Sequence, residues 1–462
     1  MSQTMWRPHK LSPRGPVYLA IADALAVDLE AGRVKPSERL PTHRSLARVL
    51  GVNVVTITRA YAEAARRGLV EGHVGRGTFV RSIEERPRDR MPQVRAAGAI
   101  DLSQNQIALP PGSIDAGRLA DSLGERLEAT LRAGYLPAGQ SEHRAAGAQW
   151  IERAGLRVDP GRVMVTNGGQ QALAAVFATF AKAGDMVLVE ELTYAGVKSL
   201  AALFRLRLHP VAVDEQGLVP ESLEDACRRG NPKLLYCMPN LHNPTGVVLP
   251  VERREAVARL AERYDLLVLE DDASGFLLES PPPPIAALTP ERGLFVTSLS
   301  KSLAPGLRVG YLAAPEKELE KLHQTQAALT WMTPVMTAQL ASQLIQGGEL
   351  ARVVEKKRAE IRRRRAIFQR VLGHLASPSH PDSPIVWVTL PEPWRGEEFV
   401  VAAERAGVLV SAAETFVVSR AHTPHAARLC LGAPETRAEV ESALARLARL
   451  LEGVPAPCRA LV

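Results

Sequence analysis

The spacing of apolar and polar positions divides the chain into two textures. Residues 17–33 carry apolar positions at helical spacing and predict one amphipathic helix. KPSERLPTHRSLARVLGV then turns at Pro36 and Pro41 and starts a second helix, with Thr42 as N-cap and Gly51 closing it. VNVVTITRAYAEAARRGLV starts a third, with Asn53 as N-cap and Ile57, Tyr61 and Ala64 on its inner face. HVGRGTFV follows, where Gly75 and Gly77 permit a tight hairpin with Arg76 at its tip.

Residues 82–99, SIEERPRDRMPQVRAAGA, have no apolar period and read as a linker. Beyond them, short apolar runs alternate with amphipathic segments. VMVT (163–166), MVLVE (186–190), LRLHPVAV (206–213), KLLYCMP (233–239), LLVLE (266–270), LFVTS (294–298) and VGYLAA (309–314) predict buried strands. The segments between, such as 170–183 and 253–264, have helix spacing, and the alternation implies a parallel sheet covered on both faces. From about 316 longer helices appear, then strands at 385–390, 408–411 and 428–431. The expected organisation is a helical domain with a β wing over 1–81, a linker over 82–99, and an α/β domain over 100–462. Within the last, a large part runs to about 330 and a smaller α+β part covers 331–462.

Composition excludes several classes. The 462 residues are 46% hydrophobic and 23% charged, the balance of a globular protein. No apolar run approaches the roughly 18–20 residues that span a bilayer, and MSQTMWRPHKL has no signal-peptide core. Cys227, Cys237, Cys430 and Cys458 form no close-spaced pair, which argues against a zinc cluster or disulfide framework and suits the cytoplasm. Charge changes the picture more. Residues 1–100 hold 17 basic and 9 acidic groups; the other 362 hold 40 and 41. The whole excess behind the net +7 therefore lies in the first segment, an electrostatic footprint for a polyanion. Two helices and a turn fit a helix-turn-helix, placing helix 54–67 in a DNA major groove while Arg76 reaches phosphates or the minor groove.

From LPTHRSLARVLGV through GRGTFV the segment resembles the winged helix-turn-helix of the GntR regulators. The resemblance implies DNA contacts at Arg44, at Thr56 and Thr58 on the recognition helix, and at Gly75 and Arg76 in the wing. Val54 and Val55 depart from the polar opening that helix often has. They can touch thymine methyls but cannot pair bidentately with guanine.

Five separated stretches supply parts for one cofactor. SLSKSLAPGLRVGYL puts Lys301 in a turn after a strand, where a neutral amine can condense with an aldehyde; Arg308, Ser298 and Ser300 can hold a phosphate. VMVTNGGQQALAA is a strand, two glycines and a helix start, so Gly168, Gly169 and Gln170 can present N–H groups as a phosphate cup. VLEDDASG ends a strand in carboxylates that can serve a pyridinium nitrogen, a strand-end cap or a metal. MPNLHNPTG offers Asn243 to a phenolate oxygen, and VEELTYAGV offers Tyr194 as a stacking ring.

Together these resemble a fold-type I enzyme of the aspartate aminotransferase group, which uses pyridoxal 5′-phosphate. The resemblance implies that Lys301 forms the internal aldimine, Asp271 pairs with the pyridine nitrogen, Asn243 reaches the 3′ oxygen and Tyr194 stacks. It places Thr166, Gly168, Gly169, Gln170, Ser298, Ser300 and Arg308 around the phosphate, sends Tyr135 to the phosphate of a second subunit, and gives Arg428 a ligand carboxylate. Two departures stand out: Ser274 where the family has a tyrosine, and His242 where a glutamine is common. The expectation is a captured cofactor with slow turnover. The four arginines 362–365 read as a solvated helix face.

A GntR-type reader joined to an aminotransferase-like domain resembles the MocR group. That implies a cytoplasmic, homodimeric transcription regulator with no metal and no membrane partner. It would bind double-stranded DNA at two half-sites and sense a small amino compound through pyridoxal phosphate on Lys301. Two alternatives remain: a working aminotransferase with an accessory DNA-binding domain, and a sensor of pyridoxal phosphate itself.

Overall fold

The computed structural model describes residues 6–9, 11, 16–30, 32–67, 69–73, 77–80, 98–419 and 423–453. The chain divides near residue 93 into two compact units.

The first unit holds α1 (Val17–Glu30), α2 (His43–Leu50), α3 (Val54–Arg66) and a hairpin of β1 (Val70–His73) and β2 (Gly77–Val80). Thr42 Oγ1 accepts the N–H of Ser45 at 3.3 Å, and Gly51 ends α2 at φ 66°. Asn53 Oδ1 accepts the N–H of Val55 at 2.9 Å and starts α3. The buried residues Ile57, Ala60, Tyr61 and Ala64 follow the i, i+3, i+4, i+7 rule and pack with Ile21, Leu25 and Leu46. Helix α1 stops at Glu30 rather than 33, and Gly32 turns the chain at φ 70°. The hairpin tip, residues 74–76, and most of the expected linker lie outside the described residues.

The second unit opens with β3 (Ile100–Asp101), α4 (Ala116–Leu131) and α5 (Ser141–Glu152). All seven apolar runs then become strands of one sheet: β4 (Val163–Thr166), β5 (Met186–Glu190), β6 (Arg207–Val211), then, after a ribbon of β7 (Val213–Asp214) and β8 (Gly217–Leu218), β9 (Leu234–Cys237), β10 (Leu267–Asp272), β11 (Gly293–Ser298) and β12 (Gly310–Ala313). Their order is β4-β12-β11-β10-β9-β5-β6. Between them lie α6 (Gly169–Phe180), α7 (Ala195–Leu203), α8 (Pro220–Arg229), α9 (Val251–Arg263), α10 (Ile285–Leu288) and α11 (Leu299–Ser302).

Alternate residues of one strand feed opposite cores. Val187, Val189 and Tyr236 pack with Val176 and Phe177 of α6, whereas Leu188 and Leu235 pack with Leu223 of α8 and Val257 of α9. Helices therefore cover both faces, as expected. The sheet is not wholly parallel, however: β12 runs antiparallel to both β11 and β4. Only residues 299–309 join β11 to β12, and a parallel crossover needs about a dozen or more. The parallel strands β4, β10 and β11 end at Thr166, Asp272 and Ser298, so their carboxyl ends gather the candidate chemistry.

The rest of the unit contains α12 (Leu319–Thr330), α13 (Val335–Gln346), the 24-residue α14 (Glu349–Leu372), β13 (Ile385–Thr389), α15 (Gly396–Arg405), β14 (Val408–Leu409), β15 (Ser411–Ala412), β16 (Ala426–Cys430) and α16 (Arg437–Glu452). The expected strand 408–411 is split. β14 pairs in parallel with β3, while β15 joins β16 and β13 in an antiparallel sheet. The arginine run also differs from expectation. Arg362 and Arg363 face solvent, but Arg364 is buried and donates to the carbonyls of Leu431 and Pro434 at 2.9 and 2.7 Å. Four consecutive residues span more than one helical turn, so one of them must meet the core.

Candidate functional site

The site grows from the junction of β4 and α6. Gly168 precedes α6 at φ 84°, ψ 170°, a region that side chains avoid, and a Cβ there would stand 2.8 Å from Arg308 Nη2. The first N–H groups of α6 have no partner within the helix, and a helix N-terminus favours an anion. Arg308 donates from Nη2 to Asn167 O at 3.1 Å and from Nη1 to Ser300 Oγ at 3.4 Å. Ser298 caps α11 by accepting the N–H of Ser300 at 3.3 Å, and the buried Thr166 donates to Gly168 O at 3.3 Å. Thr166, Gly168, Gly169, Gln170, Ser298, Ser300 and Arg308 are thus brought together. A helix N-terminus, a guanidinium and a position closed to any side chain fit a phosphate group.

Lys301 lies on α11, the turn that follows β11. Burial pushes its amine below the usual lysine range, while Asp271 pulls the other way. Asp271 is buried on β10 and accepts a hydrogen bond from Tyr236 Oη at 2.8 Å. Burial raises its carboxyl; Lys301 and Tyr236 oppose that rise. The neighbouring Asp272 accepts from Asn240 Nδ2 and the N–H of Gly275, both at 3.1 Å, and is the strand-end cap. The half-buried Tyr194 precedes α7, and burial raises its phenol. Asp271 adds to that rise, whereas Arg428 and Arg308 lower it, so the phenol feels all three charges. A lysine amine, a buried carboxylate and an aromatic ring beside a phosphate cradle fit a flat phosphorylated heterocycle bearing an aldehyde.

Arg428 projects from β16. It donates to Asn243 Oδ1 at 2.9 Å and Ser411 Oγ at 3.2 Å, and also to Ser103 O, with its guanidinium carbon 4.6 Å from the Phe416 ring centroid. Its Nε is buried without a hydrogen-bond partner. Asn243 is buried, and the preceding His242 is fixed by Thr245 Oγ1 at 2.8 Å and Leu192 O at 3.0 Å. Ser274, which stands where the family resembled has a tyrosine, is buried, and its Oγ has no hydrogen-bond partner. Tyr135 is not gathered with these residues. It is 79% exposed and lies against Trp331, ring centroids 5.7 Å apart.

Sequence reasoning missed Tyr236, Ser103, Ser411 and Phe416. Tyr236 left a faint signal, a hydroxyl inside the apolar run KLLYCMP. The others are set by tertiary packing alone. In the first unit, Arg44 and Thr58 are exposed and Thr56 is half-buried. Thr58 Oγ1 donates to Val54 O at 3.1 Å and lies 3.3 Å from His43 Nδ1. Val54 and Val55 are exposed at the start of α3. Gly75 and Arg76 fall outside the described residues.

Residues 97–447 match the family described as aminotransferase class I and II, and residues 17–80 match bacterial regulatory proteins, gntR family. The chain is 32% identical to the HTH-type transcriptional regulator YdeF of Bacillus subtilis (strain 168), over 97% of each chain. It is 27% identical to the HTH-type pyridoxine biosynthesis transcriptional regulator PdxR of Corynebacterium glutamicum, over 80% of this chain and 82% of that one. Among solved structures, a Pyrococcus horikoshii kynurenine aminotransferase matches with TM-score 0.70 and 25% identity. That match covers 77% of this chain and 91% of the other.

Proposed function

The chain belongs to the class I and II aminotransferase family and joins that domain to a GntR-type helix-turn-helix, the MocR-type plan of a transcription regulator; on that premise we propose that Lys301 captures the cofactor and that a small amino compound is sensed there. The cofactor of this family is pyridoxal 5′-phosphate. When bound, it supplies an aldehyde for an amine and a ring that draws electrons from it. The carrying observation is the conjunction of Lys301, its amine pushed down by burial, with Asp271 and the Gly168–Arg308 cradle.

The chain's own residues then divide the work. Gly168, Gly169 and Gln170 offer N–H groups to the phosphate and Arg308 its guanidinium, with Ser298, Ser300 and Thr166 around it. Asp271, oriented by Tyr236, holds a proton on the ring nitrogen. Asn243 donates to the ring oxygen, and Tyr194 covers the ring. The lowered basicity of Lys301 keeps more of its amine neutral, as a nucleophile requires. Arg428 binds the carboxylate of an incoming amino acid.

The molecule works in the cytoplasm as a homodimer on double-stranded DNA with two half-sites. Exposed Leu131, Tyr135, Leu136 and Trp331 support a second copy on that face, with Tyr135 free to reach its phosphate. Arg44, Thr56, Thr58 and the wing residues Gly75 and Arg76 contact the DNA. Ser274 supports sensing over rapid turnover, because it withdraws a phenol from the site. A second reading, response to pyridoxal phosphate itself, is favoured by the likeness to PdxR.

Borohydride treatment of the cofactor-loaded protein, followed by peptide mapping, tests the anchor. The label is expected on Lys301 and absent from a folded Lys301→Ala variant; a label that persists there refutes the assignment. Repeated turnover of an amino donor with a keto acid would establish the enzyme reading instead. A DNA response to pyridoxal phosphate with no amine present would establish the second.

A further inference from the structure

Lys357 lies in the middle of α14 and is fully buried. Its Nζ donates to three main-chain oxygens: Ile107 at 3.0 Å, Lys301 at 2.9 Å and Leu303 at 2.8 Å. All three partners are neutral, so carbonyl dipoles hold this amine. Burying an ammonium this way costs more than burying a leucine of similar size. What the amine adds is a joint, one point that fastens α14 to the Lys301 turn and to the segment following Ser103.

Two helical turns further along the same buried face, Arg364 holds the far end. Lys357, Ile361, Arg364 and Phe368 are all buried, which puts the two cations on one stripe about 10 Å apart along the axis. Arg364 donates to the carbonyls of Leu431, Gly432 and Pro434, just beyond the strand that carries Arg428. The segment after β3 closes the circuit. Ser103 O accepts from Arg428, and Ile107 O accepts from Lys357. Lys301 and Arg428, which an amino acid would engage at its two ends, are therefore fastened to one face of one helix.

We propose that Lys357 is a positioning residue that couples the release of Lys301 from the cofactor to the Arg428 strand through α14. The inference rests on the reading of Lys301 given above. While Lys301 is linked to the cofactor, its side chain restrains the four-residue helix α11. Release relaxes that turn, whose carbonyls at 301 and 303 are tied to Lys357. A long, well-packed helix carries the displacement to the loop that Arg364 holds.

Hydroxylamine separates coupling from simple fastening, because it has no carboxylate with which to engage Arg428. Its nitrogen bonds to the carbon that Lys301 Nζ leaves, and its two nitrogen-bound protons pass to the departing amine. Absorbance of the full-length, cofactor-loaded protein reports that exchange, and amide hydrogen exchange reports residues 426–435. In the native protein the absorbance change is expected with an exchange change of about tenfold in that segment. Lys357→Met is expected to keep the absorbance change and lose the remote response, and Lys357→Arg to restore part of it. Lys357→Leu, which also removes the donors but on a shorter apolar side chain, replaces the methionine variant if that does not fold. A native-sized response in either folded variant overturns the coupling. So does a native protein that changes its absorbance while residues 426–435 stay silent. A native protein with no absorbance change overturns the reading of Lys301, and the coupling with it.

Discussion

Arg428 donates from Nη1 to Asn243 Oδ1 across 2.9 Å, joining two residues 185 positions apart in sequence. The bond fixes the Asn243 amide with its oxygen toward the guanidinium. The group assigned to the ligand carboxylate thereby aims the group assigned to the cofactor oxygen. Whatever binds Arg428 competes for, or tightens, the same hydrogen-bond set.

Arg428→Ala should therefore have two effects. The spectral response to carboxylate-bearing amines should disappear, since loss of a buried ion-pair partner costs about 2–5 kcal/mol. The absorbance of bound cofactor should also shift with no amine present, because Asn243 loses its anchor. Titration with α-amino acids and with their decarboxylated amines separates the two effects. An unshifted resting spectrum would show that Asn243 is oriented without Arg428.

At Gly168, alanine would place its Cβ 2.8 Å from Arg308 Nη2, at a backbone φ of 84°. The strained backbone alone costs on the order of 1–3 kcal/mol. Gly168→Ala should weaken cofactor binding about tenfold or more and leave the sheet intact. Absorbance titration with pyridoxal phosphate checks the first expectation, and far-ultraviolet circular dichroism the second. Native affinity would mean that the cradle lies elsewhere.

These residues show what was legible. Gly168, Asp271, Lys301 and Arg308 stand at strand ends or in glycine- and proline-marked turns, where local sequence dictates geometry. The helix caps Thr42 and Asn53 were readable for the same reason. Tyr236, Lys357 and Arg364 were not, because their roles depend on carboxylates and carbonyls brought in from other segments. A run of arginines looks solvated until a loop delivers acceptors to one of them. The direction of β12 was hidden likewise, since an apolar run has no sense of direction and only the short link from β11 sets it.

The first unit gives an electrostatic test. Arg44 is exposed in the first turn of α2, in the basic segment 1–81, which carries 13 basic and 6 acidic residues. If it contacts a phosphate, Arg44→Ala should weaken binding to mixed-sequence duplex DNA and flatten the dependence of log affinity on log salt by about one unit. Fluorescence anisotropy at several salt concentrations measures the slope. An unchanged slope with altered sequence preference would make Arg44 a base reader.

Lys357 makes stability itself depend on pH. Burial pushes its amine down to about 7, whereas in the unfolded chain it returns to the ordinary lysine value near 10.5. Below pH 7 both states carry the proton, and the full cost of burying the charge is present. Between about pH 7 and 10.5 the unfolded chain holds a proton that the folded protein has released, so this residue's contribution to stability rises with pH by roughly 1.4 kcal/mol per unit. Other groups titrate over the same window, so the quantity to measure is a difference. The unfolding free energy of the native protein minus that of Lys357→Met, from denaturant titrations across pH 6–10, should climb in favour of the native chain. The three carbonyls act against this trend, because three acceptors suit an ammonium better than a neutral amine with two N–H groups. A flat difference across that range would mean that the carbonyls win and Lys357 stays charged, leaving a permanently three-bonded joint at the Lys301 turn.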